Sequence, residues 1–244
     1  LGAPEGWPAS LRTAVRICLT SRFPMIVWWD EPLFMFYNDA YLPLMGRKHP
    51  GLMRPGEQVW GEIWPVVGPM LGSVLRTGQA TWSEDLLLAM DRHGYWEETY
   101  WTYSYSPLHD DDGTVRGVFT AVSDTTEQVV SRRRLAALHE LGAQAGQARS
   151  VGEACTLVVR AIERAPQVLP YAAIYLRGPA GDAVLAASSA PDVVPVPGAP
   201  GGWPTEEVLR AGQPVTLTDV AARFGELPSG GWGRPPAEAM VLPM

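Results

Sequence analysis

Hydrophobic and polar positions change their spacing several times along the chain, and each change predicts an element. Residues 8–19 open with Pro8-Ala9-Ser10 and carry Leu11, Val15, Cys18 and Leu19 at helical spacing, so a helix is predicted that ends before Pro24. Residues 25–29 (MIVWW) and 33–37 are short, apolar and β-branched or aromatic, with turn chemistry at Asp30-Glu31-Pro32 between them, which predicts a hairpin. The second strand runs straight into Asn38-Asp39, residues whose side-chain oxygens can take the free N–H groups of a following short helix. A loop is predicted over 46–56, then two short helices over 57–64 and 65–78. From residue 81 the spacing becomes two. Strands follow at 81–90, 95–106 and 114–122, with turns at Asp91-Arg92-His93-Gly94 and Asp111-Asp112-Gly113. In the middle strand Trp101, Tyr103 and Tyr105 share one face, and Thr102, Ser104 and Ser106 the other.

Asp124-Thr125-Thr126-Glu127 then predicts a capped helix start, with Asp124 accepting from the first turn and Glu127 reaching back. That helix continues past Leu135, Leu138 and Leu141, an apolar stripe too thin to be a domain core and suited to pairing with its own copy. After Ser150 the composition shifts to Ala, Val, Pro and Gly. A helix, two strands (171–176 and 183–188), a Pro/Gly loop (191–203), a helix (205–213), an extended 215–218 and a final strand at 239–244 are predicted. The domains expected are 1–123, a connector helix 124–149, and 150–244.

Composition adds exclusions. With 46% hydrophobic and 18% charged residues the chain has material for packed cores and is not of disordered type. Net charge is −7, with no basic block beyond Arg132-Arg133-Arg134, so no nucleic-acid partner is expected. No apolar run approaches the ~18 residues of a membrane span, and Cys18 and Cys155 lack metal or disulfide spacing, which points to a reduced, cytoplasmic setting. The chain begins at Leu1 rather than Met and is expected to be a piece of a longer protein. Lys48 is the only lysine and follows no glycine-rich loop, so a P-loop or kinase lysine is absent, as are HExxH, GxSxG and GxGxxG.

The YNDAY junction, the strand ending SYSPLHDDDG and the VSDTTEQ exit, in that order, resemble the PAS domain of bacterial signalling proteins. Residues 150–244 are similar to the first part of a GAF domain, whose last strands and closing helix are missing. The resemblance implies an α+β fold: a five-stranded antiparallel sheet with helices on one face, a connector helix, then an incomplete second α+β domain. It also implies a cavity between sheet and helices with Asn38 at its rim. Trp60, Trp64, Trp82, Trp101 and Tyr103 are candidates to line that cavity or, as plainly, to be core packing. Asp124, Thr126, Glu127, Leu135 and Leu138 are the candidates for passing a signal on.

Other chemistries fit less well. Flavin photochemistry of the PAS type needs a cysteine in a helix motif that this sequence lacks, and haem needs an axial ligand that His49, in a loop, and His93, in a turn, do not suit. His139 in LHELG has the His-Glu of a phosphoacceptor helix without the residues that follow it, and Cys155 fits a packing role. Glu97 and Glu98 alternate to opposite faces of one strand and cannot act on one bond. No catalytic set and no metal site is expected. The resemblance therefore implies a cytoplasmic sensory and relay region of a bacterial receptor, a homodimer through the connector. A small-molecule ligand is possible, and the output module would lie downstream. That module is expected to be a histidine kinase; the alternatives are a serine phosphatase of the stage-II sporulation type, a ligand-free dimerisation scaffold, or a small-molecule enzyme using the tryptophan-rich cavity.

Overall fold

Strand β1 (Met25–Trp29) is apolar at every position, and this has a structural consequence: both of its faces are covered. In the computed structural model, which describes residues 2–190, 202–225, 227–230, 233 and 235–244, β1 is an inner strand. It pairs antiparallel with β2 (Phe34–Tyr37) on one side and β5 (Val115–Asp124) on the other. With β4 (Glu97–His109) and β3 (Thr81–Met90) they form one sheet in the order β2-β1-β5-β4-β3. The predicted five-stranded antiparallel sheet is present. Strand β4 extends past the predicted end through Pro107, which pairs with Val118 beyond the last β3 partner, Tyr105, so the missing N–H interrupts no β3 ladder.

Helices do not lie on one face only. Helix α1 (Ala9–Thr20) buries Leu11, Ala14, Val15 and Cys18 against Val27, Trp29 and Phe36. On the other face Ile26, Trp28, Met35, Tyr37, Val118 and Val122 pack under the helical segment between β2 and β3. The expected one-sided arrangement is corrected for a simple reason: strands apolar at successive positions must be covered twice. Cys18, on the inward side of this leading helix, is fully buried, and burial pushes its thiol up to about 11.

The segment over the inner face holds α2 (Leu42–Met45), α3 (Gly56–Val59) and α4 (Trp64–Thr77). Instead of a helix over 57–64, the chain leaves helical conformation at Trp60 (φ −115°, ψ 33°), and Trp64 opens the next helix with Pro65 in its first turn. Helix α5 (Thr126–Ala145) begins two residues after β5.

Two compact units are present, residues 1–130 and 131–244. In the second, α6 (Val151–Glu163) starts on Ser150, whose Oγ accepts from Glu153 N. It is followed by a β6 (Ala173–Arg177) and β7 (Ala183–Ser188) hairpin, α7 (Thr205–Ala211), β8 (Val215–Leu217), α8 (Val220–Phe224) and β9 (Ala239–Val241), which pairs with β8. Most of the Pro/Gly loop expected at 191–203 lies outside the described residues. Among the described residues no helix is long and apolar enough to cross a membrane.

Candidate functional site

Alternation along β4 turns Trp101, Tyr103 and Tyr105 inward, where Thr120 and Val122 of β5 and Trp28 of β1 continue the floor. Tyr41, Trp60, Ile63 and Val67 form the roof. Between them is a cavity of about 40 Å³, room for a few waters rather than the ~300 Å³ or more of a drug-sized ligand site. Two indoles are satisfied in place: Trp28 Nε1 donates to Thr120 Oγ1 at 2.9 Å, and Trp101 Nε1 to Thr99 Oγ1 at 2.7 Å. Thr99 in turn donates to Leu88 O at 2.6 Å. Tyr103 donates to the Met70 sulfur at 3.5 Å. Burial raises the tyrosines here: Tyr41 and Tyr105 are held well above the ordinary phenol value, first by loss of hydration.

The roof is tied down at its edge. Lys48 pairs with Glu62 at 2.7 Å, donates to Val59 O at 3.2 Å, and lies 5.4 Å from the Trp60 ring. His49 Nδ1 and Gly51 N both meet the Tyr37 hydroxyl, at 3.0 and 2.9 Å.

The structure treats the candidate residues unequally. Trp60, Trp101 and Tyr103 line the cavity. Trp64 sits beside it, its ring 6.4 Å from that of Trp28. Trp82 does not face it and is 65% exposed. A β-bulge between Ser83 and Leu86, with Asp85 at φ 49°, reverses the facing of β3, so Trp82 stays outside while Leu86, Leu88 and Met90 turn in. Asn38 is buried but neither caps the following helix through its side chain nor lines the cavity. Its Oδ1 accepts from Met25 N at 3.1 Å and its Nδ2 donates to Ser21 O and Phe23 O at 3.0 and 2.7 Å. Three partly buried backbone groups at the α1–β1 passage outcompete a single helix end.

Residues at the exit are joined to the cavity wall. Asp124 Oδ1 accepts from Thr126 N at 3.0 Å. Thr126 Oγ1 accepts from Tyr100 N, and Thr125 N donates to Tyr100 O, both at 2.9 Å. Asp124 Oδ2 also meets Arg92 Nη1 at 3.3 Å, and that guanidinium pairs with Glu97 and lies 5.5 Å from the Trp101 ring. Arg92 thus spans the cavity wall and the helix start. It was seen in the sequence only as a turn residue, because nothing local indicates that the turn folds back to residue 124. Glu127 lies in the first turn of α5, and Leu135 and Leu138 are exposed at 66% and 63%. His139 is exposed and Cys155 buried. Among the described residues no group of three His, Cys, Asp or Glu could hold a metal ion.

Residues 33–130 match the family model described as the PAS fold, and this part of the chain is a PAS domain, the sensory domain typical of signalling proteins. The match omits β1, which the structure places inside the sheet. No curated protein matches the chain. Among solved structures, the sensory box sensor histidine kinase from Vibrio cholerae is similar at 14% identity over 47% of this chain and 87% of that one (TM-score 0.33). The PAS domain of Bordetella pertussis BvgS is similar at 21% identity over 53% and 97% (TM-score 0.34). The phage VqmA–DPO complex is similar at 12% identity over 96% of each chain (TM-score 0.42).

Proposed function

We propose that the chain is the cytoplasmic sensory and relay region of a bacterial receptor, in which the PAS domain biases the helix Thr126–Ala145 and that helix acts on an output module, a histidine kinase. The observation that carries this is the double attachment of the helix start to β4. Tyr100 holds Thr125 and Thr126 through its backbone, and its neighbour Trp101 walls the cavity and faces Arg92, which grips Asp124. A shift of β4 therefore has to strain or release the first turn of the helix, which is the differential contact that coupling requires. In the same reading the second unit is the first portion of a GAF-like domain, supported by its helix, hairpin, helix, strand order. The exposed Leu135 and Leu138 are the seam of a homodimer.

Amide hydrogen exchange on the full chain tests the relay. Thr126→Val removes the acceptor for Tyr100 N–H while keeping the shape, and is expected to speed exchange in the first turns of α5 about ten-fold with the sheet unchanged. Unchanged exchange there would end the proposal. Joined upstream of a histidine-kinase core, the chain is expected to set its autophosphorylation rate, and Thr126→Val to loosen that control.

A further inference from the structure

We propose that the cavity of the PAS domain takes an uncharged molecule with an apolar body and one hydrogen-bond acceptor, which receives the hydroxyl proton of Tyr41. The proposal rests on the sensory reading above and names the chemistry of what is sensed. Three observations carry it.

The first is charge. The lining consists of aliphatic, aromatic, thioether and hydroxyl side chains, with no carboxylate, imidazole, ammonium or guanidinium among them. Lys48 and Arg92, near the rings of Trp60 and Trp101, do not line the cavity and are already paired with Glu62 and with Glu97 and Asp124. An ion placed here would lose its hydration, and the one guanidinium whose field reaches the lining at Tyr41, that of Arg92, is already neutralised by Glu97 and Asp124.

The second is an unspent donor. Tyr41 is 6% exposed, lines the cavity, and its hydroxyl has no hydrogen-bond partner among the described residues. The hydroxyl is open to the cavity rather than sealed in the core, so an acceptor on a ligand replaces water there without breaking any bond of the fold. Thr120 adds to it, since it accepts from Trp28 and its own proton has no acceptor among the described residues. Two donors without acceptors select a carbonyl, ether or ring nitrogen on the ligand.

The third is a wall able to move. About 40 Å³ is too little for a six-membered ring, for which an apolar cavity of about 150 Å³ suffices. Helix α4, which supplies Val67 to the lining, carries Gly68-Pro69 in its interior, where the proline removes a helical hydrogen bond. Next to it, Met70 bonds Tyr103 only through its sulfur, and Met90 lines the floor. Thioether side chains repack at low cost. A ligand therefore enters by displacing α4 and its methionines.

Benzamide, benzoate and benzamidinium share one shape and carry charges of zero, minus one and plus one. Titrated into the full chain and followed by tryptophan fluorescence and thermal unfolding, benzamide is expected to bind and raise the melting temperature, and the two ions are not. Tyr41→Phe, which removes a hydroxyl that bonds nothing in the fold, is expected to weaken benzamide about five-fold and to leave toluene unchanged. Equal binding of either ion, no binding of all three at tens of millimolar, or a benzamide affinity indifferent to Tyr41→Phe overturns the proposal. None of these readouts involves α5. Loss of the relay at Thr126 with benzamide still binding fails the functional reading alone, and intact relay without binding fails this inference alone.

Discussion

The two units differ in composition and in how they bury their apolar residues. In residues 1–130 one five-stranded sheet is covered on both faces, and its inner core runs from Ile26 to Val122. In residues 131–244 the strands form two separate pairs, β6–β7 and β8–β9, and one cluster consists of Trp203, Leu217, Val220 and Leu227. A two-stranded ribbon is marginal by itself, so the second unit leans on its helices and aromatic stack. The buried indoles are treated differently. Those of Trp28 and Trp101 donate to threonines, whereas among the described residues no acceptor meets Trp203 Nε1 at full hydrogen-bond geometry. Trp203 is stacked between Phe224 at 4.0 Å and Tyr171 at 6.1 Å. The comparison teaches that hairpins and helices follow from local pattern, while a five-stranded sheet covered on both faces needs partners far along the chain.

Core truncation should separate the units most strongly. Leu71→Ala, at a fully buried position, is expected to lower the stability of the first unit by about 3–5 kcal/mol. Val220→Ala should cost the second about 2 kcal/mol. Urea unfolding of the full chain should then show the two transitions moving separately; a single transition shifted equally by both changes would merge the units into one.

Next in size is Asn38→Ala, which strands Met25 N, Ser21 O and Phe23 O and is expected to cost about 3 kcal/mol. A loss below about 1 kcal/mol by the same measurement would mean that water replaces the amide, and that the junction is less closed than its burial indicates.

The smallest effect bears on the indoles. Thr120→Val leaves Trp28 N–H buried and unpaired and should cost about 1–2 kcal/mol. Trp203→Phe removes a donor that meets no acceptor at full hydrogen-bond geometry among the described residues, and the polar part of its effect should be within about 0.5 kcal/mol of zero. Comparing Trp203→Phe with Phe224→Leu in the same stack separates lost packing from lost polarity. A reversed order would indicate that the indole of the second unit is satisfied and the contrast false.

Legibility was uneven for identifiable reasons. Alternation in 95–106 was enough to turn Trp101 and Tyr103 to one side, and the structure puts both on the cavity wall. The same alternation would carry Trp82 inward with Leu88 and Met90, and a bulge of one extra residue reverses it. Tyr41 ends the YNDAY stretch with no local sign of a role, and its place at the roof depends on where the helix lands. Asn38 was recognised as a junction residue, but its partners belong to the passage from α1 to β1 that precedes it.

By itself the sequence determined the order of the strands and of the longer helices, the turns between the strands, and which side of β4 is apolar. These are near-neighbour properties, governed by side-chain period and by the backbone preferences of Gly, Pro, Asn and Asp. Tertiary structure alone decided that β1 lies between β2 and β5 with Met25 beside Ala121, that α1 covers the second face, and that Arg92 reaches Asp124. Those outcomes depend on closing long loops so that distant surfaces bury each other, and no local period encodes which surfaces will meet.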